Sequence, residues 1–228
     1  MRHIVPVICL TNGRGDCLTR TLAAAREHLR GASEIRVLND SPDPAYATWL
    51  DGDVADPAAD ITVTHLPGPH GYDHAMRAVW DLARSGEGPV FFLEDDFVLR
   101  ETVDIADLAG LLEDRPHLTQ VALLRQPWFR NETERGGLIE ALEAQGHKFA
   151  ECTDGRRWWI EHRAVFTGNP SLIPQRTFAV DWPAGAWSES RFGRMLFADP
   201  RARGAYWGRR SDPPRVEHIG TERVGTGY

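Results

Sequence analysis

Lysine is all but missing from this chain: Lys148 is the only one in 228 residues, and arginine carries the rest of the positive charge. A phosphate loop built from glycines and a lysine therefore has no lysine after the first apolar segment, where the chain reads Gly13-Arg14-Gly15. Cysteine is scarce too. Cys9, Cys17 and Cys152 are odd in number and lack metal-type spacing, so reduced thiols in a reducing compartment are the default. No run approaches the roughly 20 apolar residues of a membrane span. No basic-then-apolar leader precedes the first strand, so a cytoplasmic protein without membrane attachment is expected. Internal repeats and low-complexity linkers are missing as well.

What is present is core material: 42% apolar residues and eight Trp, ample for one α/β domain or two small ones. The net charge of -7 conceals an asymmetry. Residues 1–114 hold 9 Lys and Arg against 20 Asp and Glu, whereas residues 115–228 hold 17 against 13. Six Trp also fall in the second half, at 128, 158, 159, 182, 187 and 207. An acidic first half and a basic, aromatic second half suggest a division of labour, the second half meeting something anionic or flat. Arg–Trp stacking that merely holds loops accounts for the same composition.

Apolar periodicity predicts the order strand, helix, strand, strand, helix, strand over the first hundred residues. The strands are Ile4–Leu10, Glu34–Leu38, Ile61–Leu66 and Pro89–Leu93. The helices are Cys17 to about Arg30, capped by Asp16 and stopped by Gly31, and Asp73–Arg84. This pattern predicts a parallel sheet whose loops open at the carboxyl ends of its strands, where open α/β sheets place ligands. Gly13-Arg14, Asp40 and Glu94-Asp95-Asp96 follow three of those strands and are expected to face one crevice. Beyond residue 100 the spacing predicts a helix over 104–112, strands over 119–124 and 158–167, a turn at Gly168-Asn169-Pro170, a helix over 188–197 and a strand over 216–219. Residues 126–150 are polar and resist placement.

Three adjacent carboxylates beside an apolar run cost several kcal/mol to bury unless something positive meets them, so Glu94-Asp95-Asp96 asks for a divalent cation. Successive strand side chains point to opposite faces, so one or two of the three can reach one ion. An N-cap and solvated turn is the competing account.

Four segments in this order, Leu10-Thr11-Asn12-Gly13-Arg14, Leu38-Asn39-Asp40-Ser41, Leu93-Glu94-Asp95-Asp96 and Val216-Glu217-His218-Ile219-Gly220, resemble motifs of GT-A glycosyltransferases. They are most similar to small family-two-like enzymes carried by phages. The likeness runs from residue 3 to about 100 and then continues as islands. It implies an α/β fold, a single GT-A domain over 1–228. Residues 1–100 would be a Rossmann-like nucleotide-sugar-binding half with a mostly parallel sheet, and 101–228 the acceptor and catalytic half. It implies sugar transfer from a nucleotide-sugar donor, a UDP-sugar such as UDP-glucose being favoured, to an acceptor hydroxyl with inversion. Mn²⁺ or Mg²⁺ is the implied cofactor.

By this resemblance Asp96 and His218 ligate the metal, and Glu94 or Asp95 holds ribose or water. Thr11, Gly13 and Arg14 form the first nucleotide loop, and Asp40 accepts from the base. Asn169 is placed to meet the donor sugar, Arg77 to meet phosphate from a helix amino end, and Arg223, with Arg215, to clamp phosphate beside a glycine-rich tail. Glu189 resembles the general base, with Asp181 as runner-up. Plainer readings stand beside these: a turn for Asp40, a core histidine for His218, a first-turn stabilising charge for Glu189 and surface charge for the arginines.

For the acceptor, Trp182 and Trp187, close before Glu189, are expected to form a stacking platform, and Arg156-Arg157-Trp158-Trp159 interleaves basic and aromatic residues as a nucleic-acid contact would. That composition, with the resemblance, favours a 5-hydroxymethylcytosine-type base in DNA, flipped into the cleft. A glycan, protein or small-molecule acceptor is the alternative. A nucleotidyltransferase, or a sugar-nucleotide-binding module without chemistry, represents the rival classes.

Overall fold

The computed structural model describes residues 5–220. In chain order the first part runs β1 (Val5–Thr11), α1 (Gly15–His28), β2 (Leu29–Arg30), β3 (Ala32–Asn39), α2 (Pro44–Trp49), β4 (Ile61–His65), α3 (Tyr72–Ser85), β5 (Val90–Glu94) and β6 (Phe97–Leu99). It continues with β7 (Val103–Asp104), α4 (Ile105–Asp114), β8 (Leu118–Ala122), α5 (Arg130–Arg135), α6 (Leu138–Glu143), β9 (Phe149–Thr153) and β10 (Trp158–His162). The last elements are β11 (Ser171–Ile173), α7 (Ser188–Leu196), β12 (Arg203–Trp207) and β13 (Val216–His218).

One nine-stranded sheet, in the order β4-β3-β1-β5-β11-β8-β12-β10-β9, passes through both halves of the chain. Its strands run mostly one way; β11 opposes β5 and β8, and β10 opposes β12 and β9. The alternation of β1 explains why the sheet is covered twice. Val7 and Cys9 pack with Leu18 and Leu22 of α1 and Leu108 of α4, while Ile8 and Leu10 pack with Met76, Val79 and Trp80 of α3 and Phe192 of α7.

The predicted first-half elements are present, with the termini shifted by a residue or two. Asp16 does not cap α1: the helix begins at Gly15, its N-cap position is Arg14 without a side-chain cap, and Asp16 lies in the first turn. Leu29-Arg30 leaves the helix to pair with β7. The strand expected over 158–167 ends at His162. The unplaced stretch 126–150 folds as two one-turn-and-a-half helices, α5 and α6, and the start of β9. The three-residue β11, wholly buried between Pro170 and Pro174, was too short to read from pattern, yet it joins the two halves of the sheet. A separate two-stranded sheet pairs β13 with β6 and sets His218 opposite Phe97.

Candidate active site

Parallel pairing of β1 and β5, with Leu10 beside Glu94, brings the loop Asn12–Arg14 against the acidic triplet at the carboxyl ends of these two central strands. The three acids then diverge. Asp95 is fully buried and accepts from Thr11 Oγ1 at 2.7 Å, from the Asn12 backbone N–H at 3.2 Å and from Arg14. Burial pushes its carboxyl upward against the opposing pull of Arg14 and Thr11. Asp96, 3% exposed, meets both Arg14 and His218 Nε2 through Oδ2, the latter at 3.0 Å. Burial would raise its carboxyl, but the His218 bond and the Arg14 charge together hold it below the usual range. Glu94 turns into the cavity, where burial and then the charges of Asp96 and Glu189 lift it well above an ordinary glutamate. Burial alone would lower the Arg14 guanidinium, yet Asp95 and Asp96 raise it.

His218 is held through its ring faces, its Nε2 and its backbone, while its buried Nδ1 has no hydrogen-bond partner among the described residues. Its ring stacks on Phe97 with centroids 4.7 Å apart and meets the edge of Trp128 at 4.1 Å. Its backbone N–H donates to Gln126 Oε1 at 2.9 Å, and its carbonyl accepts from Gln126 Nε2 at 2.9 Å. The loop that supplies Gln126 and Trp128 is braced by Glu132, whose carboxylate accepts from Arg125 Nη1 and Nη2 at 2.7 and 2.8 Å. The same carboxylate accepts from the backbone N–H groups of Trp128 and Phe129 at 2.7 and 3.1 Å.

Glu189 enters from the first turn of α7. Tyr72, the first residue of α3, places its hydroxyl 3.2 Å from both Glu189 Oε2 and Glu94 Oε1. Gly168 packs so closely on Glu94 and Tyr72 that any side chain there would overlap Glu94 Oε1. Glu94, Asp96, Glu189 and His218 thus line one cavity of about 660 Å³, along with Asn12, Arg14, Asn169 and Trp187.

A divalent ion fits the Asp96–His218 corner. Asp96 Oδ1 is buried and has no hydrogen-bond partner among the described residues. Adjacent ligands of a six-coordinate ion with bonds of about 2.1 Å lie about 3.0 Å apart, the separation of His218 Nε2 and Asp96 Oδ2, 3.0 Å. No group of three or more His, Cys, Asp or Glu forms a complete metal cluster among the described residues. Such an ion would therefore complete its shell with oxygens of a bound ligand or water.

Several expected site residues sit elsewhere. Asp181 is 85% exposed and paired with Arg84 at 2.6 Å, outside the cavity lining, so it is not placed to act as a base there. Asp40 is 1% exposed and directed at the loop before α3, accepting from the Gly71 N–H at 2.8 Å with His70 Nδ1 at 3.3 Å. Thr11 and Asp95 lie behind the cavity wall, Gly13 packs on Ser41, and Arg77 pairs with Asp73 one turn back along α3. Trp182 is 4% exposed, stacked on Phe192 within the aromatic core, and Trp159 is 2% exposed, so neither offers a face to a ligand. Arg156 pairs with Asp107, Arg157 with Asp114 and Asp154, and Trp158 lies under Arg209, all away from the cavity. Arg223 and the glycine-rich tail lie outside the described residues.

Tyr72, Arg125, Gln126, Trp128, Phe129 and Glu132 escaped sequence reading. Glu132 left one trace, a glutamate three residues into a helix reaching back to Phe129 N–H. Tyr72 left none.

The fold is that of the GT-A glycosyltransferases. Structures that share it include GalNAc-T7 with UDP, GalNAc and Mn²⁺, at a TM-score of 0.64 and 13% identity over 95% of this chain. A mannosyltransferase of Pyrobaculum calidifontis with GDP-Man and Mn²⁺ gives 0.61 and 16% over 96%. TarS of S. aureus with UDP-GlcNAc gives 0.58 and 15% over 98%. This chain spans 43%, 58% and 60% of those chains, respectively. No family model and no curated protein matches the sequence.

Proposed function

We propose that this chain is a metal-dependent glycosyltransferase that moves a sugar from a nucleotide-sugar donor, a UDP-sugar foremost, to an acceptor hydroxyl with inversion. The carrying observation is the convergence of Glu94, Asp96, Glu189 and His218, from β5, the turn after it, α7 and β13, on one cavity of about 660 Å³. Asp96 and His218 would hold Mn²⁺ or Mg²⁺, which when bound would neutralise charge on the donor diphosphate. Arg14 lies against the same carboxylate and adds fixed positive charge. Asn169 and Glu94 line the cavity and would bond donor hydroxyls.

Glu189 would take the proton from the acceptor hydroxyl as its oxygen bonds to the anomeric carbon and the nucleoside diphosphate leaves. The Tyr72 hydroxyl between Glu189 and Glu94 orients the carboxylate. A hydroxymethylated DNA base as acceptor rests on sequence composition; Arg156 and Arg157 are engaged in ion pairs remote from the cavity and lend it no support.

A thermal-shift screen of nucleotide sugars with and without Mn²⁺ tests the reading. At least one donor should raise Tm only with metal, and Asp96→Asn or His218→Ala should remove that dependence. Glu189→Gln should retain donor binding and lose transfer by at least a hundredfold. If no nucleotide sugar stabilised the protein in a metal-dependent way, the proposal would be wrong.

A further inference from the structure

Among the described residues three large apolar side chains are exposed, Phe129 at 51%, Trp187 at 77% and Met195 at 46%, and the first two both line the cavity. Isolated exposed aromatics need no explanation, but two at one mouth do. Trp187 carries a second signal. Its φ of 60° and ψ of 28° place it in the left-handed region, which is costly for a bulky residue and persists where surroundings enforce it. The surroundings do enforce it. The Gly185 N–H donates to Asp73 Oδ2 at 2.7 Å, Arg191 Nη1 donates to the Ala184 carbonyl at 2.6 Å, and the Trp187 carbonyl accepts from the Arg191 N–H at 3.0 Å. A strained, pinned backbone presents an indole to solvent two residues before Glu189.

The charge at this mouth narrows what can lie on that indole. Glu94, Asp96 and Glu189 line the cavity, and its guanidinium groups among the described residues, Arg14 and Arg125, are each held by carboxylates, Asp95 with Asp96 and Glu132. A polyanionic acceptor meets, among the described residues that line the cavity, no guanidinium that is not already paired with a carboxylate. A neutral polyol with one apolar ring face meets an aromatic surface and, beside it, a carboxylate able to accept a hydroxyl proton.

We propose that Trp187, with Phe129 on the lining of the same cavity, is the acceptor subsite, and that the acceptor is an uncharged pyranoside stacked on the indole with one hydroxyl delivered to Glu189. This rests on the glycosyltransferase reading and names the substrate class of the same site.

The test uses saturation-transfer NMR with methyl glycosides of glucose, galactose, mannose and N-acetylglucosamine, alongside a hydroxymethylcytosine duplex and the donor thermal shift. At least one glycoside should bind the parent protein, with the ring protons of one face enhanced. Trp187→Gly should weaken that binding at least tenfold while Tm stays level or rises, because glycine accepts the left-handed conformation. Trp187→Phe should bind within about threefold of the parent, because a face is kept. A structural role for Trp187 would instead lower Tm in Trp187→Gly. The inference is overturned if no glycoside binds while a donor still shifts Tm, if binding survives Trp187→Gly, or if the duplex binds and the glycosides do not. A missing donor shift would overturn the glycosyltransferase reading instead, which separates the two failures.

Discussion

Replacing Glu132 by alanine probes the brace behind His218. Glu132 is 3% exposed and accepts four hydrogen bonds, two from Arg125 and two from the backbone N–H groups of Trp128 and Phe129. Its removal strands the Arg125 guanidinium, 9% exposed, and two N–H groups. Breaking a buried ion pair costs about 3–5 kcal/mol. Arg125 keeps its bond to the Gln126 carbonyl at 2.9 Å and its position over the Phe129 ring, which favours the low end. The expected loss is about 3 kcal/mol, or about 6–12 °C in Tm for a domain of this size. Urea unfolding with an unchanged m-value reads it directly. Arg125→Met combined with Glu132→Ala should recover part of the loss, since no charge is then stranded. Trp128 should also loosen from the His218 ring, so the metal-dependent donor shift should weaken in the single variant. A loss below about 1 kcal/mol, or a double variant no better than the single, would refute this account of the brace.

Buried His162 gives a pH prediction. It is 3% exposed, and burial lowers it to about 3, whereas an unfolded histidine titrates near 6.5. Below about pH 6.5 the unfolded chain takes up a proton that the folded one refuses, so this group costs stability as pH falls toward about 3, at about 1.4 kcal/mol per unit. The parent should lose about 2 kcal/mol from this group by pH 5. His162→Phe, stacked between Phe149 and Tyr206, should show a shallower slope in urea unfolding between pH 7 and 5; an equal slope sinks the assignment. Gly168→Ala forces Glu94 to move, so transfer should fall at least tenfold while far-UV circular dichroism stays native; unaltered turnover would show that Glu94 has room the packing denies.

What the sequence disclosed and what it hid have physical causes. β1 and β5 were legible because a strand covered on both faces is apolar at nearly every position, and the end of the sheet that carries the cavity follows from the order of strands. Of the expected residues, Arg14, Glu94, Asp96, Asn169, Trp187, Glu189 and His218 share the cavity. Composition misled over Arg156-Arg157-Trp158-Trp159, because a basic, aromatic run looks the same whether its charges face a ligand or their own Asp107, Asp114 and Asp154. Trp182 and Trp187, five residues apart, were indistinguishable in sequence; tertiary packing buries one and strands the other at the mouth. The brace around Glu132 was mostly hidden: only its bond to the Phe129 N–H has a residue pattern, whereas the bond to the Trp128 N–H and the pairing with Arg125 depend on how the loop folds.

The guanidinium of Arg14 against Asp95 and Asp96 bears on the order in which the site comes into being. During synthesis from the amino terminus, Arg14 emerges before the acids it neutralises, and β1 and β5 can pair around a compensated turn while the rest is still unmade. His218 arrives 122 residues after Asp96, on the strand that closes over β6. A nascent chain therefore has the β1–β5 end of the site settled long before it has both members of the proposed metal pair. Shortened chains ending before β13 should fold their first half and hold no ion.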